Sequence, residues 1–579
     1  TPNGKIDRRA LPAPGRGRLA VAGEFVPPSM PTEEVLAEIF ASVLRVDRVG
    51  VHDNFFELGG DSILSIQVVS RARKAGLELT PVQLFEGPTV AELARIAGVV
   101  GETESDQGPV MGDVQLTPIQ RWYLDSEPED AHHFNQSFVL EVSPGMGVAR
   151  LQAALGRLLE HHDGLRLRFR RAQARWSQWI EAPGAAPALE VVRLAGLGES
   201  EREAEIARAS ESAQSGLDLE LGPLLRAVWF EGAEGRAPTV LLVIHHLAVD
   251  GVSWRVLLED LDALCAGETV DAVTLPRRTS SFKEWSARLH EHAQGAAARS
   301  EIKHWKGAVR SHAPVATGGA AGAGTQASAR TVVAALTESD TRALFGEVAA
   351  THRAQANDLL LAALVHAWKR FRGESRLCLD LEGHGRETFA PGLDVSRTVG
   401  WFTSMFPVVL DAGEGPWPNG TVAAVKANLR AIPRKGFGYG VLRYLSEDES
   451  VRAALEGTPA AEVGFNYLGQ FDETWSGLRC FAPARQPMGP LCSPRARRHH
   501  RYEFNALVTE GRLSLGVIYS DKLDQAREIE VLVGYYVEAL ESLARNRRHA
   551  PAEPQPSDFD LVELDQRQLA KILGSIGSP

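Results

Sequence analysis

Apolar and polar positions change rhythm along this chain. Between residues 27 and 100 the apolar residues recur at helical spacing. Val35, Ile39, Phe40, Val43 and Leu44 fall on one face behind a capping Thr32, and Ile63, Ile66 and Val69 line a helix that opens at Ser62. Thr89 and Glu92, three apart, form a capping box for a last short helix. This stretch predicts a small helical bundle. From about 114 to 550 the rhythm is mixed. Alternation at Arg376–Glu382 and Arg512–Tyr519 predicts half-buried strands, and the unbroken apolar run Thr239–Ile244 predicts a fully buried one. Ala149–His161, Ser253–Cys265 and Asn357–Phe371 read as amphipathic helices, so the region as a whole predicts a large α/β unit.

Segments without rhythm divide the chain. Residues 1–26, rich in Gly, Pro and Arg, cannot build a core, and the glycines and acidic residues of 101–113 make a linker. Ala316 to Ala329 is almost all Ala, Gly, Ser and Thr. It predicts a mobile loop between halves of about 114–300 and 331–550. Residues 551–579 begin as a Pro-rich linker and continue into Leu561, Leu564, Leu569, Ile572 and Leu573, a partial helical stripe suited to docking a partner or to packing back as a tail.

Composition narrows the classes. With 579 residues the chain exceeds one core, and no apolar run approaches the ~18–20 residues needed to span a bilayer. A net charge of −12 argues against a general nucleic-acid binder. The four cysteines show no CxxC spacing, which leaves neither a zinc ribbon nor a disulfide framework and makes a cytoplasmic setting the expectation. The chain starts Thr1-Pro2-Asn3 with no initiator Met or signal region, as expected of a piece of a larger polypeptide.

Candidate chemistry gathers at three places. Adjacent histidines occur at 132–133, 161–162, 245–246 and 499–500. Only His245-His246 follows a buried strand and leads into an Asp250-Gly251 turn. Successive strand residues face opposite sides, so one imidazole of that pair faces a cleft while the other packs, and the two cannot easily share a metal with Asp250. The pair at 161–162, followed by Asp163-Gly164, reads as packing or capping, and 499–500, in Arg-Ala-Arg-Arg-His-His-Arg, as a solvated basic loop or polar strand start. Glu382 ends the alternating strand with Leu377, Leu379 and Leu381 on the other face, and Gly383 and Gly385 would let backbone approach a ligand. Ser62 stands where a helix N-terminus favours an anion, with Gly59 and Gly60 leaving the hydroxyl accessible.

These strings resemble one family throughout. His245-His-Leu-Ala-Val-Asp-Gly251 is similar to the HHxxxDG signature shared by condensation and epimerization domains of nonribosomal peptide synthetases. Asp53-Asn-Phe-Phe-Glu-Leu-Gly-Gly-Asp-Ser62 resembles the attachment motif of peptidyl carrier proteins, and Asp61 before the serine is the residue favoured in carriers that precede epimerization domains. Residues 1–12 resemble the end of an adenylation domain, with Lys5 as its remnant. Glu382-Gly-His-Gly-Arg-Glu387, Arg397-Thr-Val-Gly-Trp-Phe-Thr403, Lys435-Gly-Phe-Gly-Tyr-Gly440 and Phe465-Asn-Tyr-Leu-Gly-Gln470 resemble epimerization domains, whereas condensation domains show a Phe-Val-Asn-Thr type string at 401–403.

The resemblance implies a multidomain chain. A four-helix all-α carrier bundle at 27–100 would precede a two-lobed α/β chloramphenicol-acetyltransferase-like domain at 114–550. It further implies 4′-phosphopantetheine on Ser62, acid/base roles for His246 and Glu382, structural roles for His245 and Asp250, and no metal. Tyr467, Asn466 or a backbone N–H could steady an enolate oxygen, Tyr467 could instead shuttle a proton, and Arg386 would orient Asp250 or Glu382. The expected reaction inverts Cα of a carrier-bound aminoacyl or peptidyl thioester by removing a proton from one face and returning one to the other. Its implied partners are an upstream adenylation domain, a downstream condensation domain and a phosphopantetheinyl transferase. A condensation domain forming a peptide bond, or an inactive recruitment domain on the same fold, are the alternatives.

Overall fold

The computed structural model describes residues 25–545, except 45, 61, 81–82, 85–86, 100–106, 174, 185–188, 233–235, 312–323, 457–460, 471–474 and 476. The expected adenylation remnant around Lys5, Asp61 and the terminal stripe after Pro551 lie outside the described residues. Two compact units emerge, one built on residues 25–99 with 342–356, the other on the described residues of 107–341 and 357–545.

In the first unit, helices α1 (Pro31–Leu44), α2 (Ser62–Lys74) and α3 (Val90–Ile96) enclose a core around Leu36, Phe40, Phe55, Leu64 and Leu93. Thr32 is not the cap of α1. The helix starts at Pro31, favoured at a first position, and the Glu33 carboxylate reaches back to accept from the N–H groups of Ser29 (2.9 Å) and Met30 (3.2 Å). Thr89 and Glu92 do form the reciprocal box at α3. Ser62 is the first residue of α2, whose first turn holds no acidic residue. Gly59 is left-handed (φ 99°) with open space around it. Gly60 serves packing instead, since a Cβ there would lie 2.3 Å from the Phe55 ring.

The larger unit is built on two mixed sheets. In the first, β1 (Asn135–Val142), β2 (Leu225–Phe230) and β3 (Thr239–His245) lie in the order β1-β3-β2, bordered by 190–192 beside β2 and by 481–483 beside β1. The unbroken apolar run of β3 is explained by its two cores: Val240, Leu242 and Ile244 enter one cluster, Leu241 and Val243 another. The following helix, α4 (Gly251–Ala266), was expected to be amphipathic but is buried on nearly all sides, because it packs in the first of those clusters and against helix Val148–His161.

The second sheet holds β4 (Ala329–Ala335), β5 (Arg376–Gly383), β6 (Ser404–Asp411), β7 (Val463–Gln470), β8 (Tyr502–Thr509) and β9 (Arg512–Ser520), in the order β4-β9-β8-β7-β5-β6. β7 runs parallel to both its neighbours. Leu377, Leu379 and Leu381 face inward as the alternation predicts. The low-complexity stretch gives way earlier than expected: Gln326–Ser328 form a turn, and Ala329 already opens β4. Ser328 is tied there to Ser520, hydroxyl to hydroxyl, at 2.8 Å.

Candidate active site

β3 ends at His245, and the chain turns through His246–Ala248 before Asp250 caps α4. The two imidazoles face different worlds. His245 is fully buried; its Nδ1 accepts the Leu247 N–H (3.2 Å), so its Nε2–H donates to the Ala131 carbonyl (2.9 Å), and burial pushes its pKa down to about 3. His246 takes the opposite tautomer. Its Nδ1–H donates to the Val249 carbonyl (2.8 Å), leaving the Nε2 lone pair 3.1 Å from the Gln136 amide nitrogen. Phe134 stacks on the ring at 5.0 Å and Trp401 lies 4.3 Å away. Burial among these rings lowers the His246 pKa, opposed by its backbone bonds and the Asp250 charge, which raise it. The result is a neutral imidazole with a basic nitrogen.

Asp250 shapes the turn that carries it. One carboxylate oxygen caps α4 through the Ser253 N–H (2.7 Å) and meets Arg386 Nη2 at 3.2 Å, and the other accepts the Phe402 N–H (3.1 Å). Arg386 also donates to the Ser253 hydroxyl (2.9 Å) and the Thr398 carbonyl (2.8 Å), so it orients Asp250 and not Glu382. Its guanidinium stacks on Phe402, 3.9 Å from the ring centre. This knot joins α4 to the Trp401-Phe402 segment that covers His246.

Glu382 sits near the end of β5, directly opposite Met405 on β6. Its Oε2 accepts from Asn466 Nδ2 on β7 at 2.8 Å. The carboxylate is open to water yet surrounded by protein, and burial, with Glu503 and Asp380 adding to it against His500, pushes its pKa up to about 7. Two residues back on the same face, Asp380 accepts from His500 Nε2 at 2.9 Å. Burial disfavours the His500 cation, but the bond to Asp380 and the charges of Asp380, Glu503 and Glu382 outweigh it and raise its pKa. Gly464 makes room for that imidazole: a Cβ would lie 2.7 Å from His500 Nδ1.

Several expectations change at this point. His500 is buried and ion-paired and Arg498 is buried too, whereas His499 is exposed, so the pair is solvated only at His499 and stands just ahead of β8 as the polar-strand-start reading had it. Gly383 and Gly385 yield to protein, not ligand: a Cβ at Gly385 would lie 1.7 Å from the Phe402 carbonyl, and one at Gly383 2.7 Å from Ser404 Oγ. Tyr467 follows Asn466 on β7, where alternation sends it to the face away from Glu382, just before a shift of register. His162 bonds Asp260 at 3.0 Å and Gly164 packs under the Val399 backbone, so that pair serves packing. His161, His162 and Asp260 are grouped as metal ligands might be, but Arg397 holds Asp260 at 2.5 Å.

His246 and Glu382 belong to different sheets, and a series of rings leads from one toward the other. His246 touches Trp401, Trp401 lies 6.4 Å from Trp122, and Trp122 lies 4.2 Å from His499, next to the His500–Asp380 pair. Trp122 was not singled out in the sequence, Phe134 and Gln136 were given no catalytic role and His500 was read as loop or strand start, because each reaches the site from a strand, helix or loop more than a hundred residues from its partner.

Comparison with known proteins agrees with the layout. Residues 110–558 match the family model described as condensation domain, and residues 34–97 match the phosphopantetheine attachment site. Two linear gramicidin synthase polypeptides of Brevibacillus parabrevis are similar to this chain from end to end. One is 41% identical over 100% of this chain, which spans 11% of that polypeptide. The other is 43% identical over 99% of this chain, which spans 8% of it. Among solved structures, the epimerization domain from the third module of tyrocidine synthetase B superposes with a TM-score of 0.70 at 32% identity, covering 77% of this chain and 98% of that one. The condensation domain from the Monacolin K polyketide synthase MokA, at 16% identity and a TM-score of 0.59, shares the fold.

Proposed function

Since this chain belongs to the condensation-domain family and carries a phosphopantetheine attachment domain ahead of it, we propose that it is the carrier–epimerase part of a nonribosomal peptide synthetase, interconverting L- and D-aminoacyl or peptidyl thioesters. The observation that carries this reading is the state of Glu382: a strand-end carboxyl, steadied by Asn466 and pushed up to about 7, in the same domain as a neutral His246.

The attachment domain takes 4′-phosphopantetheine on a serine. Ser62 fits that group, opening a helix free of acidic residues in its first turn beside the unencumbered Gly59. Once bound, the group supplies a tethered thioester, whose carbonyl acidifies the adjacent Cα–H. The protein's own part is proton transfer. Inversion needs one acid and one base on opposite faces of Cα, holding one proton between them. The shifts favour the arrangement in which His246 is unprotonated at Nε2 and Glu382 is protonated, since each group is displaced toward its neutral form. His246 Nε2 thus accepts a Cα proton and the Glu382 carboxyl donates one to the other face; the reverse direction exchanges the roles. Gln136 orients the imidazole and Asn466 the carboxyl. Enolate stabilisation falls to a backbone N–H or the second N–H of Asn466.

An upstream adenylation domain would select the amino acid, a phosphopantetheinyl transferase would load Ser62, and a downstream condensation domain would receive the D-product. The test is direct. Phosphopantetheinylation should add one arm by mass to the wild-type chain and none to Ser62→Ala. The loaded L-aminoacyl thioester, placed in D₂O, should take up deuterium at Cα and yield D-residue on hydrolysis. Peptide-bond formation with a second loaded carrier and no Cα exchange would establish a condensation domain instead.

A further inference from the structure

A cavity of about 140 Å³ opens beside Glu382, and the proton-transfer scheme does not use it. Two of its lining residues, Asp380 and Met405, flank the carboxyl. Asp380 is two residues back on the same strand face, and Met405 is the direct cross-strand partner of Glu382, so its side chain shares that face. The opposite wall comes from the first half of the domain, through Trp122 and Leu289, and a third wall from the 437–444 segment, through Phe437 and Tyr444. Trp122 is one ring removed from Trp401, which lies against His246. The space therefore lies beside the Glu382 end of the proposed acid/base pair, with the Trp122 and Trp401 rings between it and His246.

Its polar lining asks for no charged occupant. Asp380 is paired with His500 at 2.9 Å, and Arg443 donates to the Tyr439 hydroxyl at 2.9 Å. Thr403, Ser404 and His499 add neutral polar groups, and rings and aliphatic side chains such as Phe437, Phe402 and Leu289 make up the apolar part of the wall. Its volume is close to the ~150 Å³ of an apolar protein cavity that binds benzene. A phenyl or branched aliphatic group fits such a space. A pantetheine arm, many bonds longer than any side chain, would have to extend beyond it.

We infer that this cavity receives the side chain of the amino acid whose Cα is inverted, and that it favours bulky apolar side chains over small ones. The inference rests on the epimerase reading. Holding the side chain there would orient Cα between the imidazole and the carboxyl, so pocket fit would appear in kcat/KM.

The experiment uses the full chain, loaded at Ser62 from the coenzyme A thioesters of L-alanine, L-leucine, L-phenylalanine and L-tryptophan, with Cα deuterium uptake as readout. Wild type is expected to prefer leucyl and phenylalanyl over alanyl. Leu289→Phe, which fills the cavity, should lower the phenylalanyl-to-alanyl ratio of kcat/KM by about 10- to 200-fold, the usual range for a misfit in an apolar pocket. Tyr444→Ala, which enlarges it, should raise the tryptophanyl-to-alanyl ratio, and it keeps the test alive if Leu289→Phe does not fold. Ratios unchanged in both variants, or all four substrates falling together, would overturn the pocket and mark the cavity as packing space or a passage. Absence of exchange on every substrate in wild type would overturn the epimerase reading and the pocket with it.

Discussion

His246 and Glu382 stand at strand ends in the two mixed sheets of one domain, and they are held in opposite ways. The imidazole is held by neutral groups, a backbone carbonyl on Nδ1, an amide at Nε2 and two aromatic rings, with the Asp250 charge as the smallest influence on it. The carboxyl stands among charges: Asp380 and Glu503 push its pKa up, and His500 pulls it down. Burial is the largest influence on both. It displaces both groups toward neutrality, the histidine by losing its proton and the carboxylic acid by keeping its own. An imidazole governed by rings changes little when nearby charges change, whereas a carboxyl governed by a charge balance can be retuned by one neighbour.

The comparison breaks most sharply at the two groups themselves. His246→Ala and Glu382→Gln should each slow net L-to-D conversion by about 10²–10⁴-fold, measured by chiral analysis of released product. The variants should also differ in kind: one should still exchange deuterium into L-substrate and the other into D-substrate, each retaining the base for one face. Full activity in either variant would show that the two do not work as a pair.

A smaller effect probes the scaffold on the histidine side. Arg386→Ala leaves Asp250 buried without its cation and should lower stability by about 3–5 kcal/mol in urea unfolding. Arg386→Lys should recover part of it. A loss well below this range would mean that the hydrogen bonds from Ser253 and Phe402 satisfy Asp250 without the arginine.

The subtlest change belongs to the carboxyl side. The acid form of Glu382 is lost as pH rises through about 7, so the direction that uses it as donor should decline along an alkaline limb there. The His500 cation lowers that pKa, and His500→Gln removes it while leaving Asp380 and Glu503, both of which raise it. The limb should move to higher pH with little change in the plateau. The equivalent limb controlled by His246 should stay where it is. A downward shift, or movement of both limbs, would show that the two environments are not independent.

The parts of this site written in contiguous strings were legible in the sequence. Local periodicity put His246 after a buried strand, Glu382 at the end of an alternating one and Ser62 at a helix start, while their roles were what the family resemblance implied. What surrounds them does not. His500 meets Asp380 across 120 residues, and Gln136 meets His246 across 110, through strand pairings that no local pattern encodes. Periodicity also misjudged exposure: α4 carries polar residues such as Asp260 and Asp262 that look solvent-bound, yet Arg397 and His162 neutralise the first and backbone N–H groups of Arg479 and Cys480 bind the second. Buried ion pairs make a helix look amphipathic when both of its faces are covered.

The strand 481–483 belongs by sequence to the second half but completes the first sheet, pairing Phe481 with Val142 and Pro483 with Leu140. Phe481 is buried in the core of that first sheet. Proline has no N–H to offer a further strand, so the sheet stops there. Severed between its halves, the chain would leave β1 as an open edge, ready to pair with whatever strand it next met. The two halves are consequently one unit of recombination: a swap between synthetases that exchanges either alone carries away the other's border, and chimeras should tolerate junctions outside the pair far better than within it.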